Sequence, residues 1–126
     1  MNKIKIAIAD DYQVFREGLI ITLTYHDDME VIIEAENGEM LLGKMKTITP
    51  DLVIMDFKMP VMDGMKATRI IKELYPSVKV LVISMYEDEK FIQSFKECGA
   101  DGYLLKNAEP DEIRQLVYDI IKKQGH

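Results

Sequence analysis

Five side chains have the types and placement to do chemistry together: Asp10, Asp11, Asp56, Ser84 and Lys106. Each stands at or just beyond the carboxyl end of a short apolar run. Taken singly, each has an ordinary reading. A pair such as Asp10-Asp11 commonly caps a helix, a serine in that position closes a turn or caps the next helix, and a lysine is a solvated surface charge. Taken together they form another set. Three carboxylates within a few ångströms repel one another and have raised pKa values unless a cation compensates. Oxygen-only ligands with no His or Cys nearby select Mg²⁺, with Mn²⁺ as a substitute, over zinc or copper. A carboxylate, a hard ion, a hydroxyl and an ammonium are the nucleophile, neutralising charge, hydrogen-bond donor and counter-charge needed to receive a phosphoryl group.

Whether they meet depends on the elements that carry them. Short apolar runs alternate with helix-period segments in five strand-then-helix repeats, the pattern of a parallel sheet covered on both faces. The spacing predicts strands at Ile4–Ala9, Glu30–Ala35, Leu52–Met55, Val78–Ile83 and Tyr103–Leu105. Helices are expected from Tyr12 to about Tyr25, with Phe15, Leu19 and Leu23 on one face, and from an N-cap at Asn37 to about Thr47. A third carries an apolar stripe of Ala67, Ile70, Ile71 and Leu74, closed by Pro76. A fourth spans Glu87–Cys98 and ends at Gly99. The last starts at Pro110, buries Ile113, Leu116, Val117, Ile120 and Ile121, and ends at Gly125. Pro50 precedes the third strand, and Phe57–Gly64 is a loop directly after it. In a parallel sheet the strand ends share one edge, so four separate segments deliver their polar residues to one site.

The 126-residue length suits one domain spanning 1–126, and 48% hydrophobic with 30% charged residues is a globular composition. No signal-peptide or membrane-length apolar stretch is visible, so a cytoplasmic protein with no membrane partner is expected. The single cysteine, Cys98, suits a reducing compartment and reads as a small buried hydrophobe rather than a reactive thiol. A net charge of −6 disfavours nucleic-acid binding by this chain alone, so DNA contact needs another domain.

The stretches IADD, LVIMDFKMPVMDG, VLVISMYED and GADGYLLK are specific enough together to mark a resemblance. From Lys3 to about Lys123 the chain resembles the receiver domains of two-component response regulators, most of all the subfamily with a C-terminal helix-turn-helix (LuxR-type) DNA-binding domain. That resemblance implies a flavodoxin-like α/β fold: a five-stranded parallel sheet of order 2-1-3-4-5 with helices on both faces. It implies that Asp56 is the phosphoacceptor, that Asp11, Asp56 and the backbone carbonyl of Lys58 ligate Mg²⁺, and that Asp10 acts nearby or through water. Ser84 and Lys106 would contact phosphoryl oxygens, and Ser84 with Tyr103 would form the switch. The implied partners are a sensor histidine kinase or phosphotransfer protein and, on phosphorylation, a second copy of the chain. The implied role is a signalling switch that assists its own phosphorylation and dephosphorylation, rather than a conventional enzyme. It would control transcription through an output domain that lies outside these residues, past His126.

Two departures and three rivals complete the reading. Asn107 follows Lys106 where many members have proline, which leaves the geometry of that peptide open. Met85 and Tyr86 are bulky and are expected to restrict water's approach and slow loss of the phosphoryl group. A flavin-binding relative of the fold needs a phosphate cradle in its first loop, whereas Asp10-Asp11-Tyr12-Gln13 repels phosphate unless a metal bridges it. Aspartyl-phosphate phosphatases place the nucleophile after the first strand in a D-x-D pattern, whereas here the two aspartates are adjacent. A receiver-like module that no longer takes phosphate is set against the presence of every expected residue.

Overall fold

The computed structural model of the chain describes residues 3–123. It contains β1 (Ile4–Ala9), α1 (Gln13–Thr24), β2 (Met29–Ala35), α2 (Gly38–Met45), β3 (Leu52–Met55), α3 (Gly64–Leu74), β4 (Lys79–Ser84), α4 (Glu89–Glu97), β5 (Gly102–Leu105) and α5 (Pro110–Lys122). All pairings are parallel and the order is β2-β1-β3-β4-β5, as expected. Side chains alternate across each strand, so the sheet has two apolar faces. Ile6, Ile8, Leu52, Ile54, Leu81 and Ile83 pack under α1 and α5. Ala7, Ala9, Val53, Met55, Val80 and Val82 face the helices α2, α3 and α4 on the other side.

Local chemistry sets the element ends. Asn37 caps α2 as expected, its Oδ1 accepting the Met40 N–H at 2.8 Å. Asp63 caps α3 in the same way, accepting the Lys66 N–H at 2.9 Å. At the end of α4, Gly99 adopts φ of 98° while the Ala100 N–H reaches back to the Phe95 carbonyl at 3.0 Å, satisfying one of the helix's last acceptors. The Glu109 N–H donates to the Glu112 carboxylate at 3.1 Å, half of a capping box at the start of α5.

Several expectations need correction. β4 runs one residue later at each end, so Ser84 is its last residue rather than the residue after it, and α4 starts at Glu89 behind an Asp88 cap rather than at Glu87. Leu74 does not join the buried stripe of α3. It is 63% exposed, because Gly64, Ala67, Thr68 and Ile71 form that face and Tyr75 packs against the core in its place. Cys98, the C-cap of α4, is only half-buried. Gly125 and His126 lie outside the described residues. No peptide bond among those described is cis, so Lys106–Asn107 is trans.

Candidate functional site

The sheet's own hydrogen bonding carries the site. Beyond the strand ends the ladder continues for one more rung: Asp10 N–H to Ala35 O at 3.0 Å, Asp56 N–H to Ala9 O at 2.9 Å, and Lys106 N–H to Ser84 O at 2.9 Å. Three of the site residues are thus fixed in register by backbone bonds. Their side chains meet at the carboxyl edge, where one carboxylate oxygen from each of Asp10, Asp11 and Asp56 lies within 4.8 Å of the others. Asp10 and Asp56 are buried, while Asp11 faces solvent.

Lys106 supplies the counter-charge. Its Nζ lies 2.8 Å from Asp10 Oδ2 and 3.6 Å from Asp56 Oδ2, and it rests 4.5 Å from the centroid of the Phe15 ring. This amine is therefore no solvated surface charge. Burial, followed by the charge of Asp10, pushes the Asp56 carboxyl up from 3.8 to about 6; Lys106 opposes that rise, Asp11 adds to it, and a backbone hydrogen bond from Phe57 opposes it. One amine does not neutralise three carboxylates. An open cleft of about 360 Å³ lies over the cluster, lined by Asp11, Tyr12, Asp56, Lys58, Met85, Tyr86 and Lys106.

The two aspartates after β1 do not cap α1. Tyr12 occupies the N-cap position, and Asp10 instead accepts the Tyr12 N–H on Oδ1 at 2.8 Å. Ser84 is buried and its Oγ accepts the Tyr86 N–H at 3.2 Å, so this serine closes the turn after β4. The Tyr103 hydroxyl donates to the Tyr86 carbonyl, and its ring packs 5.9 Å from that of Phe95. The backbone of the β4–α4 loop therefore links Ser84 to Tyr103.

The loop after Asp56 is tightly folded. The Met62 N–H bonds Pro60 O at 2.7 Å around Val61, whose φ is 67°, and the Gly64 N–H bonds Phe57 O at 2.8 Å. A Cβ on Gly64 would stand 2.0 Å from the Asp56 carbonyl oxygen. Gly64→Ala is accordingly expected to destabilise the protein by about 3 kcal/mol, because only backbone next to Asp56 can yield. Urea denaturation checks this; a loss under about 1 kcal/mol contradicts the fit.

Sequence reasoning missed Gly64's close approach, the Asp63 cap and Arg16. The last left a signal: Arg16, Leu19 and Leu23 have i, i+3, i+7 spacing, and all three are buried, which puts an arginine where a hydrophobe belongs.

Comparisons with known proteins agree with this fold. The family described as "Response regulator receiver domain" matches residues 6–118. The chain is 40% identical over 116 residues to the transcriptional regulatory protein DegU of Brevibacillus brevis, covering 92% of this chain and 49% of that protein. It superposes with a TM-score of 0.91 on the signal receiver domain of the putative response regulator NarL from Mycobacterium tuberculosis, at 31% identity, covering 97% of this chain and 98% of that one. A LuxR-family two-component response regulator from Aurantimonas sp. SI85-9A1 gives the same score at 28% identity, covering 97% and 87%. The chain spans about half the length of the curated relatives it matches. Among the described residues no helix is long and apolar enough to cross a membrane.

Proposed function

The chain belongs to the response regulator receiver domain family, and from that premise we propose that it accepts a phosphoryl group on Asp56 from a sensor histidine kinase or phosphotransfer protein, with Mg²⁺ or Mn²⁺ bound beside it. The observation that carries this is a buried Asp56 carboxylate sharing one lysine with Asp10, in an acidic cluster open to a cleft. The donor set is all oxygen and short of positive charge, which fits a hard divalent ion. Asp11, Asp56 and the Lys58 carbonyl would hold it, with Asp10 nearby or through water. Held there, Mg²⁺ supplies charge neutralisation for the carboxylates and the incoming phosphoryl oxygens.

In the transfer, an Asp56 oxygen forms the new bond to phosphorus as the donor's nitrogen–phosphorus bond breaks and the electron pair returns to the imidazole. Lys106 pairs with a phosphoryl oxygen, while Asp10 keeps the amine in place from the other side. The product adds about −1.5 to −2 charges. The Ser84 hydroxyl donates to another phosphoryl oxygen. As it turns, the Tyr86 N–H loses its acceptor, and the loop that anchors the Tyr103 hydroxyl shifts. The surface of α4, β5 and α5 changes with it, favouring a homodimer and an output. The relatives are about twice as long and are named transcriptional regulatory proteins, which supports an output domain that regulates transcription.

Incubation of the full chain with a small acyl-phosphate donor tests the reading. One phosphoryl group per chain is expected by intact mass with Mg²⁺ and none with a chelator; equal labelling in both contradicts it. Met85 and Tyr86 border the cleft, and Tyr86 also packs against Phe57 and Phe91 with centroids at 5.8 and 5.0 Å. Tyr86→Ala should admit water and speed loss of the phosphoryl group roughly threefold to tenfold, followed as the decay of the phosphorylated mass. Slower or unchanged decay counts against that shielding role.

A further inference from the structure

We propose that Arg16 is a positioning residue of this site, acting through Asp10; the inference rests on the phosphoacceptor reading above. Arg16 is 9% exposed, yet it stands on the apolar face of α1 beside Leu19 and Leu23. A buried guanidinium is costly unless its donors are used, so its partners show what it is for. Nη1 donates to the Asp10 backbone carbonyl at 2.6 Å, a short charge-assisted bond. Nε faces Glu34 Oε1 at 3.5 Å but makes no hydrogen bond, so the carbonyl of Asp10 is the arginine's one well-made contact among those described.

Asp10 is thereby held at every polar atom. Its N–H goes to Ala35 O, its carbonyl to Arg16, its Oδ1 to the Tyr12 N–H and its Oδ2 to Lys106. Two of these contacts fix the chain and two fix the carboxylate. Removing Arg16 leaves the carbonyl of Asp10 without its side-chain donor, at the point where β1 turns toward α1. The next residue is Asp11, the exposed member of the acidic cluster. The arginine therefore sets the path of the loop that presents both carboxylates, without touching the reacting atoms. Groups directly behind a metal's ligands typically alter affinity about tenfold to a hundredfold when lost, and Arg16 acts on the residue preceding Asp11, a ligand in the proposed set.

The test uses the full chain carrying Arg16→Met, Arg16→Gln or Arg16→Lys. Amide hydrogen exchange without metal should speed about tenfold or more at Asp10 and Tyr12 in the Met and Gln variants, while amides of β3 keep their protection. Calorimetric Mg²⁺ affinity should fall about tenfold to a hundredfold. Arg16→Lys, which restores a charged donor, should recover part of both losses. Both Met and Gln are made so that whichever folds decides. Exchange at Asp10 and Tyr12 and Mg²⁺ affinity equal to wild type would overturn the proposal. If wild type itself binds no Mg²⁺ and takes no phosphoryl group, the phosphoacceptor reading fails, and the metal-free exchange still judges the hold of Arg16 on the loop.

Discussion

Lys106→Ala is expected to slow phosphoryl uptake from a small donor about 10²- to 10³-fold and to lower stability by about 2–4 kcal/mol. The kinetic effect follows from geometry. The amine bridges Asp10 at 2.8 Å and Asp56 at 3.6 Å, so it is already where a charge must be met when phosphoryl oxygens arrive. The loss of stability follows from burial: without the amine, two buried carboxylates face each other, and the Asp10 carboxylate keeps only the Tyr12 N–H. Mg²⁺ should return part of the stability by replacing the missing positive charge, but not the rate, because the contact on the phosphoryl group is still absent. Timed intact-mass measurements and urea denaturation with and without Mg²⁺ check both. Uptake within about threefold of wild type contradicts the role given to this lysine.

Asp56→Asn is expected to abolish labelling while making the metal-free protein more stable at neutral pH. In the folded chain the carboxyl titrates at about 6 rather than 3.8, chiefly because burial disfavours its charge. The folded state therefore binds the proton more tightly than the unfolded state does. The stability this group contributes is present below 3.8 and is lost as pH rises through 6, so above that the ionised carboxylate strains the fold. The asparagine variant lacks this titration. Its advantage over wild type should grow from near zero at about pH 4 to about 2 kcal/mol at about pH 7.5. Lys106 loses little in the exchange, since Asp10 holds it more closely. Added Mg²⁺ should narrow the gap by stabilising wild type alone. Denaturation curves across that pH range decide; a variant less stable than wild type at neutral pH, without metal, is the contrary result.

The gain from Asp56→Asn arises at the Asp56 carboxylate and the loss from Gly64→Ala at the Asp56 carbonyl, and only the first was readable in advance. Short apolar runs and stripes of period near four are written in residue types, so the five strands, their order and the shared edge holding Asp10, Asp56, Ser84 and Lys106 followed from pattern and resemblance. Close approaches are not written that way. Nothing in the loop Phe57–Gly64 announces that Gly64 lies against the Asp56 carbonyl, because that fit depends on how α3 docks. Leu74 failed for a related reason: its spacing fits the stripe, but the turn toward Pro76 lets Tyr75 fill the place. The partners of Asp10 were also hidden, since one comes from α1, one from the chain after β5 and one from β2. Arg16 was visible as a charge at a buried helical position, a signal readable only after the stripe is drawn through Leu19 and Leu23 rather than through Phe15.

Site mapping tests the central claim most directly. The chain is exposed to an acyl-phosphate donor with Mg²⁺, the acyl phosphate is trapped by hydride reduction to homoserine, and the peptides are sequenced by mass spectrometry. Homoserine at position 56 alone, absent when a chelator replaces Mg²⁺, is the expected result. Homoserine at position 10 or 11, or labelling at 56 that persists without a divalent ion, would show that these carboxylates and Lys106 do not form the phosphoacceptor site described.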